Sequence, residues 1–216
     1  YILQNLSAAS AGNDSDNWYS KIREEQKILI VAISSDRGLA GSFNSNITKG
    51  VLKLIEDKYK IQLQKGNVTI LSIGKKGYDY FSKRQFRVED RFTTLFQRLT
   101  FENVAEAAEF IMNEFRAGRF DKIEIVYNEF KNVATQILRI EQFLPVLPAQ
   151  SELSAAQADY IYQPAQEEII SGLIPKSLKV QLFKALLDSN AAENGARMAA
   201  EITMPQLSDT MTEGTI

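Results

Sequence analysis

The stretch SSDRGLAGSFNSN, residues 34–46, places two glycines, an acid and an arginine directly after an apolar run. Glycine-rich turns between a strand and a helix are where backbone amides cradle phosphates. The spacing from Gly38 to Gly41 is G-L-A-G-S, which fits neither G-x-G-x-x-G nor G-x-x-x-x-G-K-[ST]. A tight turn is therefore the favoured reading, with Ser42 or Asn44 capping the next helix and Phe43 packed beneath it. Asp36 and Arg37 could serve as an acid and an electrophile. Without a histidine or a second carboxylate at a defined spacing, a local salt bridge or a cap is the expectation. Gly74-Lys75-Lys76-Gly77 resembles a phosphate loop only in composition and reads as a solvated basic turn.

The chain contains no cysteine and no histidine. That removes thiol chemistry, disulfides, cysteine and histidine metal ligands, and the usual general base at neutral pH. Scaffold is favoured over catalyst, with no cofactor and no metal expected. A net charge of -2 from mixed signs leaves no basic face for nucleic acid. No run approaches the roughly 18–20 apolar residues of a membrane span, so no direct membrane insertion is expected. The opening YILQNLSAAS lacks the layout of a signal peptide, and the chain reads as facing the cytosol.

The elements that must carry these residues follow from hydrophobic periodicity. Ile28 to Ile33 form a continuous apolar run, the mark of a strand covered on both faces. Ile47, Val51, Leu54, Ile55 and Tyr59 then recur at helical spacing. NVTILSIG, residues 67–74, reads as a strand, KKGYDYFSKR as a short helix and FRVEDRF as a third strand. TFENVAEAAEFIMNEFRAGRF reads as a helix capped by Thr100 and ended by Gly118, with Ala105, Ala108, Ile111, Met112 and Phe115 facing inward. DKIEIVYNEFKN and ATQILRIEQFLPV read as an antiparallel hairpin. Residues 145–165 read as a loop around the short extended piece YIYQ, where Tyr160 and Tyr162 share a face.

The longest helical pattern runs from about Pro175 to Ala200, with Leu178, Leu182, Ala185 and Leu186 in one stripe. At 1.5 Å per residue it is roughly 40 Å long, more than the sheet needs for cover. Its second half, NAAENGARMAA, is nearly all small residues. One reading is plain helix surface; the other is a seam for close helix approach, with Leu3 and Leu6 at the other chain end as candidate partners. Alternating strands and helices give an α/β fold class: a Rossmann-like, mainly parallel sheet flanked by helices, with N- and C-terminal helices forming a short antiparallel coiled-coil stub.

Four stretches together resemble one known family. SSDRGLAGSFNSN is similar to the SSDRGLCGGFN segment of the gamma subunit of F-type ATP synthases, with Ala40 for a frequent cysteine and Ser42 for a glycine. VYNEFKNVATQ, YIYQPAQEEIISGLIP and LFKALLDSNAAENGARMAA resemble further segments of that family in the same order. The resemblance implies a non-catalytic rotor shaft, an α/β domain on a coiled coil, whose partners are the alpha, beta, epsilon and c subunits. It implies a peripheral place on the cytoplasmic face of the inner (plasma) membrane. It also implies that the turn of Asp36, Arg37, Gly38, Gly41 and Phe43 is architectural. Tyr160, Tyr162 and Gln163 fall in the foot facing the ring and epsilon, with Gln163 where the family often has glutamate. Glu193, Gly195, Arg197 and Met198, with Leu3 and Leu6, fall on the coiled-coil seam, and Asn194 replaces a common histidine.

The expected organisation is the end of an N-terminal shaft helix and a linker over 1–17, the α/β domain over 18–165, the start of the C-terminal shaft helix over 166–200, and a non-matching tail over 201–216. MPQLSDTMTEGTI in that tail resembles the opening strand of a lipoyl domain, which suggests a fused fragment. Two rivals to the rotor reading stand beside it: a nucleotide-binding α/β module using the Gly38–Gly41 turn, and an adaptor acting through the tail.

Overall fold

The computed structural model describes residues 17–147 and 169–212, with side chains described over 17–147 and 171–203. The strands are β1 (Ile28–Ile33), β2 (Val68–Ile73), β3 (Arg87–Glu89), β4 (Lys122–Asn132) and β5 (Thr135–Leu144). The α-helices are α1 (Phe43–Lys58), α2 (Lys60–Gln64), α3 (Lys75–Ser82), α4 (Phe101–Arg116) and α5 (Ile174–Thr212). The sheet order is β3-β2-β1-β4-β5. β1 pairs in parallel with β2 and β4, and β2 with β3. β5 closes the edge antiparallel to β4, as the hairpin pattern required.

β1 and β2 are buried along their whole lengths because each face meets a different helical layer. Leu29, Val31 and Ile33 join a core beneath α4 and α5 that includes Phe115, Leu178, Leu182 and Leu186. Ile28, Ile30 and Ala32 turn to the other face and meet Ile47, Val51, Leu54, Ile55 and Tyr59 of the α1 region. Alternation across a pleated strand delivers residues to both layers, so a strand between two layers must be apolar throughout.

α4 begins and ends as its sequence directs. The Thr100 side chain accepts from the Asn103 amide at 3.3 Å, and Gly118 closes the helix at φ +74. Its inner face is Val104, Ala107, Ala108, Ile111, Met112 and Phe115. Ala105, expected on that face, is only half-buried, because the phase set by Val104 and Ala108 rotates it aside. One buried acid sits at the far end of the sheet: Glu124 accepts from the Tyr59 hydroxyl at 2.8 Å, with Lys58 at 3.8 Å. Burial and that carboxylate push the Tyr59 hydroxyl far above the usual tyrosine range.

α5 begins after a π-helical turn at Ile169–Leu173, and Pro175 falls in its first turn, where a missing amide costs nothing. It runs through Thr212 without the break expected after Ala200. The start of the tail is thus helical. The stretches that carry Leu3, Leu6, Tyr160, Tyr162 and Gln163 lie outside the described residues.

Candidate functional site

The turn that follows β1 lies at the carboxyl end of the sheet, where strand order reverses between β1 and β4. Open α/β sheets bind ligands in that crevice. Here the crevice holds protein. Ala40 and Phe43 of the turn form a buried cluster with Ala192 and Ala196 of α5, and Asn128 of β4 donates to the Phe43 carbonyl at 3.0 Å.

Amides that flank the Gly38–Gly41 turn are committed to protein acceptors. Ser35 N donates to Asn44 Oδ1 at 3.0 Å, and Phe43 N to the Ala40 carbonyl at 3.1 Å. Across the crevice, Lys75 N donates to Asp36 Oδ1 at 3.2 Å, Lys76 N to the Ser35 carbonyl at 3.0 Å and Gly77 N to Ser34 Oγ at 2.8 Å. The amides at the start of α3 thus meet a carboxylate, a carbonyl and a hydroxyl from the neighbouring turn. Geometry of this kind joins the two turns.

Two glycines make the junction possible. Gly74 sits at φ +96, and a Cβ there would collide with the Ser34 backbone. Gly41 sits at φ +54, while Leu39 adopts the left-handed region at φ 60 with its side chain 79% exposed. Ser42 precedes α1 but makes no side-chain cap bond. Asn44, the other expected cap, is tied back to Ser35 instead, with Nδ2 donating to Ser35 Oγ at 2.8 Å. Phe43 is fully buried, as expected. Asp36 takes a capping role at the start of α3, while Arg37 contributes its backbone carbonyl.

That carbonyl and its neighbour are bound by α5. Arg197 Nη1 donates to the Gly38 carbonyl at 2.6 Å and Nη2 to the Arg37 carbonyl at 3.1 Å. Glu193, one turn earlier, receives Nε at 3.1 Å and Nη2 at 2.6 Å. Beside this contact lies a polar cavity of about 260 Å³ lined by Asp36, Arg37, Gln97, Asn190, Glu193 and Asn194 among others. The close approach foreseen for Gly195 exists, but the β4–β5 hairpin makes it: a Cβ there would lie 3.2 Å from the Phe130 ring and 3.3 Å from Val133 Cα. Glu193, Gly195 and Arg197 therefore lie on the side of α5 that meets the domain. Of the expected seam residues on α5, Met198 alone points away, 54% exposed.

Further down α5, a polar layer separates helix from hairpin. The Tyr127 hydroxyl donates to Glu141 at 2.8 Å, and burial together with that carboxylate raises its pKa far above the usual range. Glu129 is paired with Arg139 at 2.5 Å and its carboxyl is held below the usual range by that bond. The Asp188 carboxyl is raised by burial, which outweighs the favourable field of Lys184. Among the described residues no acidic cluster is arranged to hold a metal ion, and no helix is long and apolar enough to cross a membrane.

Sequence reasoning located the turn but missed its partners. Gly74 and Gly77 carried a signal, since glycines after a strand mark close backbone approach; nothing local to Ser34 or Asn128 announces a role.

A family model described as ATP synthase matches residues 1–205. The ATP synthase gamma chain of Cytophaga hutchinsonii is 50% identical over 203 residues, 92% of this chain and 68% of that one. The gamma chain of Flavobacterium johnsoniae is 48% identical over 213 residues, 98% of this chain and 71% of that one. The family model ends at residue 205, and the Flavobacterium johnsoniae alignment enters the residues beyond it. In fold, the chain is similar to the central stalk and c-ring structure of the Tetrahymena thermophila mitochondrial ATP synthase, with a TM-score of 0.60 at 20% identity, covering 93% of this chain and 98% of that one. The rotor of the Euglena gracilis enzyme gives 0.56 at 18% identity, covering 98% and 86%. With a strand-end crevice filled by its own helix and gamma chains as relatives, the chain belongs to the ATP synthase gamma-chain family, whose members are non-catalytic subunits of the synthase.

Proposed function

We propose that the chain acts as the central-stalk rotor of an F-type ATP synthase, coupling ion flow through the membrane ring to ATP synthesis in the catalytic hexamer. On this reading it works at the cytoplasmic face of the inner (plasma) membrane, with alpha and beta subunits around its shaft and epsilon and the c-ring at its foot. The observation that carries the reading is the two-sided character of α5. Leu178, Leu182, Ala185, Ser189, Ala192 and Ala196 form a stripe buried against the domain. On the far side Val180, Leu187, Met198 and Ile202 are exposed at helical spacing, continuing the exposed Leu173 before the helix. An apolar stripe on a helix of 39 residues, about 58 Å at 1.5 Å per residue, is the surface a second shaft helix needs.

Residues 1–17 would supply that helix, with Leu3 and Leu6 against the exposed stripe that includes Met198. Tyr160, Tyr162 and Gln163 would form the foot. The test is assembly. Mixed with alpha and beta subunits of the Cytophaga relative, the chain should co-elute with them. A c-ring and epsilon should capture it less well after Tyr162→Ala or Gln163→Ala. A folded chain that binds none of these subunits would overturn the reading.

A further inference from the structure

α5 leaves the cover of the domain at Arg197. Ala192 and Ala196 are the last of the helix's described side chains to be buried, and Met198 and Ile202 beyond them stand in solvent. Among the described residues, the last polar ties from the helix to the rest of the fold are the two that Arg197 makes to the Gly38 and Arg37 carbonyls. Lower on the helix the hold is mainly apolar contact, which has no preferred direction, with Lys179 donating to Glu109 at 2.6 Å and Gln181 to Glu141 at 3.5 Å beside it. A guanidinium shared between two carbonyls and a carboxylate is directional, because its donors lie in one rigid plane. Glu193 fixes that plane from within the helix, so the fork is aimed before it meets the turn.

The turn bears the mark of being held. Leu39 occupies a backbone region that leucine rarely adopts. Its side chain is 79% exposed, so its own packing does not hold it there. The constraint comes from its neighbours: the Gly38 carbonyl on Arg197 and Ala40 in the cluster with Ala192 and Ala196.

We propose that Arg197, aimed by Glu193, is the clamp that fixes the direction in which the bare part of α5 leaves the domain. Twisting of the helix then passes through it to the turn at residues 37–39. The significance of the clamp rests on the stalk reading; the geometry concerns the chain alone.

The lack of cysteine makes a clean test possible. Lys83→Cys on the domain and Ile202→Cys on the helix, both exposed positions, take spin labels without background. The distance between them is measured by double electron–electron resonance on the full chain. The parent should give a narrow distribution. Arg197→Ala should broaden it about twofold, and Arg197→Lys should broaden it nearly as much, because lysine keeps the charge but not the fork. Amide exchange at residues 37–41 should rise in the same variants. Circular dichroism establishes that each variant is folded, and Arg197→Lys carries the test if Arg197→Ala does not fold. A folded variant with the parent's width, or a lysine variant indistinguishable from the parent, would sink the clamp. No other subunit is present, so that result leaves the stalk reading standing, whereas failure to bind alpha and beta subunits strikes the stalk reading alone.

Discussion

The two halves of α5 are attached to the same domain by different physics. From Ile174 to Ser189 the inward side chains include Leu178, Leu182 and Leu186, which bury large apolar areas in the main core. From Asn190 onward the inward residues are Ala192, Gly195 and Ala196, which bury little area and let backbone approach backbone. Area holds strongly and tolerates small shifts in direction. Close approach with charged hydrogen bonds holds less strongly but allows one arrangement. The lower half therefore secures the helix, and the upper half aims it.

The largest effect that would sharpen this contrast is Leu182→Ala. The site is fully buried, and the loss should be about 2–5 kcal/mol, read as a lower urea midpoint at unchanged slope. In the upper half, Gly195→Val drives side-chain atoms into Phe130 and the Val133 backbone and should cost about 1–3 kcal/mol. A valine variant as stable as the parent would mean that the close approach is absent. Arg197→Lys should cost less, about 1–2 kcal/mol in thermal unfolding, by losing the fork and leaving a carbonyl less well satisfied. If it cost more than Leu182→Ala, the division of labour between the halves would be reversed.

The smallest effect concerns pH. Burial raises the Asp188 carboxyl above its usual range, so the folded chain keeps this proton to higher pH than the unfolded chain. This group's contribution therefore weakens the fold at neutral pH, and stability recovers as pH falls through the raised folded value. Asp188→Asn should raise the melting temperature at neutral pH and flatten the parent's gain on mild acidification. Parallel curves for the two proteins would show that the polar layer between α5 and the hairpin is not under that tension.

Much of the fold could be read from periodicity. The apolar run of β1, the stripe from Ile47 to Tyr59, the Thr100 cap and the hairpin after Asp121 all report which side of an element is buried. Periodicity does not say what covers that side. Gly195 was legible as a close contact, yet its partner, a hairpin some sixty residues earlier, leaves no local trace. The same limit hid the joining of the two turns, since Ser34 and Gly77 are brought together by the parallel pairing of β1 with β2. Asn44 misled because a side chain with two donors and an acceptor can serve a distant loop as readily as its own helix.

The filled crevice between β1 and β4 has one more consequence. In this fold the helix occupies the place of a small molecule while remaining part of the same polypeptide, so it behaves as a tethered ligand with a high effective concentration. A freely diffusing competitor for that crevice would have to outbind a segment that never leaves the vicinity. A scaffold suited to catch and release is thereby turned into a permanent joint, and the affinity that would have recognised a cofactor is spent on stiffness.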